Sequence, residues 1–122
     1  MKNETYMSFY LKSNRIHVFI DSLRALGNPR RICFMLSEDG NNLLMMPYKK
    51  RDLKSHAVPL EVYNGTDCME ISSQRLSRIL ADRHQWNPRR SYRVPGIIYP
   101  NWNVAVFALR EAEIIDAINS GE

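Results

Sequence analysis

The sequence predicts a β-rich α+β fold in which two strand–helix–hairpin units pack as one domain, with a short C-terminal helix. Three observations predict it. Short apolar runs bounded by turn residues read as strands. The tetrapeptide Asn28-Pro29-Arg30-Arg31 recurs as Asn87-Pro88-Arg89-Arg90, and each copy follows a capped helix and precedes a hairpin. The chain has 122 residues, 44% hydrophobic and 25% charged, which suits one globular domain with a real core.

The elements follow in order. Residues 1–14 are a lead-in with a strand at Met7–Leu11. Arg15–Phe19 alternates, with Ile16 and Val18 on one side, so it is a short strand. Asp21 or Ser22 can cap a helix through Leu26, and Gly27 is its natural stop. Ile32–Leu36 and Leu43–Met46 flank Asp39-Gly40 and form a hairpin. Residues 47–67 read as a connector. Then the pattern returns: a strand at Met69–Ile71, and a helix capped by Ser72 or Ser73 that runs to about Trp86. Leu76, Ile79 and Leu80, with the stem of Arg83, share the buried face of that helix. Ser91–Val94 and Ile97–Tyr99 form a strand interrupted by Pro95-Gly96, and Val104–Leu109 is the partner strand. An acidic helix, Glu111–Ile118, ends the chain. The repeated units span residues 15–50 and 69–109.

Net charge is +4, unevenly spread. Residues 1–60 hold 10 Lys/Arg against 5 Asp/Glu, and residues 61–122 hold 7 against 8. A basic body attracts anionic partners, nucleic acid above all, although the same balance also describes a merely soluble basic surface. No apolar run is long enough to span a bilayer, and no apolar h-region follows Met1–Met7, so no membrane partner and a cytoplasmic location are expected.

Nothing in the chain predicts catalysis. None of His17, His56 and His84 has a second His or Cys at i+3 or i+4, so no metal is expected. Cys33 and Cys68 lie far apart in no CxxC motif, and Cys33 reads as a buried strand thiol. No phosphate-binding glycine motif is present, so no cofactor is expected. Tyr48, Tyr92, Tyr99 and Trp102 interleave with the arginines but read as core aromatics.

The residues that remain are basic. The stretch from Arg15 through Leu23-Arg24-Ala25-Leu26-Gly27, followed by a hairpin ending at Tyr48-Lys49-Lys50, resembles the AbrB-type swapped-hairpin family. That family includes MraZ-like proteins with two such units per chain. The resemblance covers residues 15–50, with Phe19 standing where the family usually has proline. It implies dimers or higher oligomers, a homodimer being the simplest, and DNA binding through the strand start and short helix. The matching positions are Arg15 and Arg24. With the other basic residues, Arg30, Arg31, Lys49, Lys50, Arg51, Arg89 and Arg90, they make the candidate nucleic-acid face. The expected function is a non-enzymatic regulator that binds duplex DNA. The alternative is an interaction module, such as an inhibitor or mobile-element accessory factor, that docks on another protein's acidic surface.

Overall fold

Alternation of apolar and polar residues is what the barrel is made from. In Arg15–Phe19, Ile16 and Val18 are fully buried while Arg15 is exposed. The computed structural model describes residues 3–52 and 55–116. Its strands are β1 (Glu4–Tyr10), β2 (Arg15–Phe19), β3 (Arg31–Leu36), β4 (Asn42–Pro47), β5 (Ser55–Ala57), β6 (Cys68–Ser72), β7 (Ser91–Tyr99), β8 (Val104–Ala108) and β9 (Glu113–Ile114). Helix α1 (Ile20–Ala25) joins β2 to β3, and α2 (Gln74–His84) joins β6 to β7.

Eight antiparallel strands form a nearly closed barrel in the order β5-β3-β4-β8-β7-β1-β2-β6, and β9 adds to β7. The order reads the same from either half of the chain. The strands before the helices pair with each other, β2 with β6, and the last hairpin strands pair, β4 with β8. The lead strand of each half crosses to the other half's hairpin: β1 pairs with β7, and β5 with β3. The counterpart of the β1–β2 pair would be β5–β6, and among the described residues that pair is missing.

Strand direction decides what sits at each end. β2 ends at Phe19, and α1 returns to the same end, because β3 begins there opposite Pro47 and Ala57. β6 ends opposite Arg15, and α2 returns to that other end, where Ser91 pairs with Tyr10. Each helix therefore covers one mouth of the barrel. α1 buries Ile20 and Leu23 and is followed by buried Leu26; α2 buries Leu80. Beyond α2, Trp86 stacks on Tyr92 at 4.9 Å and meets Phe9 at 5.5 Å. Phe9, Phe107, Met7, Leu43 and Met45 fill the interior.

Several local expectations are corrected. Neither Asp21 nor Ser22 caps α1: the N-cap is Phe19, and the Ser22 hydroxyl donates to the Phe19 carbonyl at 2.7 Å. Ser73 caps α2, accepting from the Leu76 N–H, but the helix stops at His84 because Gln85 turns left-handed. Ile79 is 41% exposed, so Leu80 alone of the three expected apolar residues is fully buried. The connector contains β5 and a 3-10 turn at Leu60–Tyr63. β7 runs unbroken through Pro95. Even-numbered β7 groups face β1, as the Ile98 N–H to Asn3 and Leu11 N–H to Arg90 bonds show. The missing Pro95 N–H therefore faces the other edge, between the stretches paired with β8 and with β9.

The C-terminal helix is not formed over the described residues. A 3-10 turn at Leu109–Glu111 leads into β9, where Glu113 pairs with Arg93 and Ile114 with Tyr92. Sheet pairing has overridden an acidic segment with helical preference. Residues 117–118 of the expected helix lie outside the described residues.

Candidate functional site

The nine basic candidates divide between the two ends of the barrel. Six gather at the α1 end, brought there by three segments. Arg24 lies on the last turn of α1 and donates to the Tyr63 carbonyl at 2.9 Å. The Tyr63 hydroxyl in turn donates to the Pro29 carbonyl at 2.7 Å, tying the helix to the Asn28–Arg31 turn. Arg30 is exposed, and its carbonyl accepts from Val58 at 2.7 Å. Arg31 is half-buried, with Nε donating to the Ser55 hydroxyl at 2.9 Å. The Tyr48 N–H donates to the Arg31 carbonyl at 2.9 Å, which sets the exposed Lys49, Lys50 and Arg51 beside that turn. Asp21, Asp52, Glu61 and Asp67 also lie toward this end, Asp52 accepting from the Tyr48 hydroxyl at 2.9 Å.

The other three are apart from these. Arg89 and Arg90 sit at the α2 end, where the Arg90 carbonyl accepts from Leu11 at 3.4 Å. The two Asn-Pro-Arg-Arg turns therefore lie at opposite mouths, not on one face. Arg15, also toward the α2 end, bonds Glu70 at 2.6 Å on the outer face of β2 and β6.

Glu70 is the centre of a small polar array. His17 Nε2 lies 3.1 Å from Glu70 Oε2, and His17 Nδ1 lies 3.8 Å from Cys68 Sγ. The hydrogen bond to His17, and then Arg15, hold the Glu70 carboxyl below its usual value of 4.5. Burial, with Asp67 and Glu70 nearby, pushes the Cys68 thiol up, so it is held protonated and is a poor nucleophile. A depressed carboxyl favours the folded state at pH above the unfolded value, and that contribution disappears as pH falls through the folded one. Glu70→Gln is therefore expected to lose part of the stability gained between strongly acid pH and about pH 5. Urea midpoints across that range check it; an unchanged pH profile would contradict the Glu70 linkage.

Three placements differ from the sequence reading or go beyond it. Tyr63 carries no motif, yet it positions both Arg24 and Pro29. Arg93 lies over the Tyr6 ring, 5.5 Å from its centre, beside a cavity of about 650 Å³ that Arg24 and Arg93 share with Glu4, Asp21 and Asp67. Of the aromatics read as core, only Tyr92 is buried: Tyr99 is 43% and Trp102 80% exposed. Their alternation in and after β7 was the available signal.

Among the described residues, no three His, Cys, Asp or Glu side chains are grouped to hold a metal, and no helix is long and apolar enough to cross a membrane. No protein-family model, no curated protein and no solved structure matches the chain.

Proposed function

We propose that this chain is a non-enzymatic regulator that binds duplex DNA through the α1 end of the barrel. One observation carries the reading: Arg24, Arg30, Arg31, Lys49, Lys50 and Arg51 come together there from three segments, tied by Tyr63 and by the Tyr48–Arg31 backbone bond. Cations on separate short segments can reach phosphates along a backbone, fixing orientation without reading bases. Sequence preference then comes from duplex shape or from a few arginine contacts. The resemblance of residues 15–50 to AbrB-type regulators supports the same reading, with Arg24 in the cluster and Arg15 outside it.

The test is a salt titration of labelled duplex. If all six cations engage phosphates, affinity falls by about a thousandfold between 50 and 200 mM salt. Absence of binding to any duplex at 50 mM salt rejects the proposal.

Trp102 favours a second reading. It is 80% exposed on the β7–β8 turn, at the same end as the cations. Tryptophan and arginine together are typical anchors of protein interfaces. In this reading the chain is an interaction module docking on an acidic partner surface. Capture of one partner that is lost in an Arg30→Glu/Arg31→Glu variant, with duplex binding absent, would favour it.

A further inference from the structure

The barrel has one seam, between β5 and β6, where the described residues leave a strand pair unmade. A cavity of about 470 Å³ opens along this side of the molecule. Phe34 and Met35 of β3, His56 of β5, and Leu76 and Ile79 of α2 line it, with Arg75. Met35 is 55% exposed and Ile79 41%, so large apolar side chains on both sides of the cavity face water. Phe34 and the His56 ring stand 5.5 Å apart at its wall.

Charge separates this cavity from others on the surface. The cavity beside Arg93 is lined by Glu4, Asp21 and Asp67, and the one on the outer face of β7 and β8 by Glu4 and Glu111. No carboxylate among the described residues lines the seam cavity. The carboxylate bonded to a lining side chain is Asp52, which accepts from the Tyr48 hydroxyl. His56 is biased toward its neutral form by burial and then by Arg31. The formal charge in the lining is therefore Arg75. Apolar walls, one guanidinium and a volume within the range of small-ligand sites define a ligand with an apolar body and a negative head.

We propose that the seam cavity binds a small organic anion, an aliphatic or aromatic carboxylate or sulfonate. Its apolar part lies among Phe34, Met35, Leu76 and Ile79, and its charge lies on Arg75. This site adjoins the cationic α1 end through Tyr48 and His56 but is lined by none of the six basic side chains, and it does not depend on the nucleic-acid reading.

The probe is 1-anilinonaphthalene-8-sulfonate, an aromatic sulfonate whose emission rises in apolar sites, titrated into the full chain. One saturable site is expected, and decanoate displaces the probe. Arg75→Glu and Ile79→Glu are each expected to weaken binding by about tenfold or more. Ile97→Ser, on the exposed face of β7, leaves it unchanged. All three positions are exposed, and circular dichroism confirms that the variants fold. Amide shifts of Phe34 and Leu76 on adding decanoate give a second readout. Absence of saturable binding, or binding lost in Ile97→Ser but kept in the seam variants, overturns the site. Binding that survives Arg75→Glu overturns the anionic class even where Ile79→Glu weakens it.

Discussion

Reversing Lys49, Lys50 and Arg51 to glutamate is expected to lower affinity for duplex DNA by about a hundredfold or more at 0.1 M salt. A charge pair at 4 Å in water is worth about 1 kcal/mol, and each reversal replaces an attraction with a repulsion of similar size. Three such changes reach that range even after screening. The three side chains are exposed and lie after β4, outside the core, so thermal stability should change little. The companion variant is Arg89→Glu/Arg90→Glu. These arginines sit at the α2 mouth, on the far side of the barrel from the cluster. Their reversal is expected to change affinity by less than about threefold, the part due to net charge alone. Fluorescence anisotropy of a labelled duplex measures both. A larger effect from the α2 pair than from the α1 trio would sink the assignment of the site to the α1 end.

The separation of the two turns shows where sequence reading ends for this fold. Local signals were legible. Alternation located β2, the Asp39-Gly40 turn located the β3–β4 hairpin, and the Ser72-Ser73 pair marked the start of α2. Each of these depends on residues within a few positions of one another. What was not legible depends on pairing across the chain. β5 is three residues long, and its place is set by its partner β3. β1 is a central barrel strand because β7, more than eighty residues away in sequence, lies alongside it. The acidic tail gives β9 for the same reason. The Asn-Pro-Arg-Arg copies share a local context, helix before and hairpin after. Their strands β2 and β6 then pair antiparallel, and that reversal carries the turns to opposite mouths. For the site, the basic residues were legible by type, but their division into six and three needed strand direction. Tyr63 needed tertiary contacts altogether.

Gly96→Ala is expected to destabilise the protein by about 2–3 kcal/mol, with the cause lying in one contact. Gly96 sits in β7 opposite Phe107 of β8, and an added β-carbon would stand 2.5 Å from Phe107 Cδ1 and 3.1 Å from Cγ. Its backbone does not have the positive φ of Gly27, Gly40 or Gly65, so alanine fits the strand conformation and the cost is steric. Phe107 has little freedom to yield. It is fully buried in the barrel core with Phe9, Leu43 and Met45. Moving its ring would displace close-packed neighbours rather than solvent. Denaturant midpoints measure the loss. A double-mutant cycle with Phe107→Leu isolates the contact, because the smaller side chain opens a cavity beside residue 96. Phe107→Leu alone should destabilise, yet adding Gly96→Ala to it should cost far less than in the wild-type background. If the two effects simply add, the β-carbon does not meet the ring, and the close packing of β7 on β8 needs another explanation.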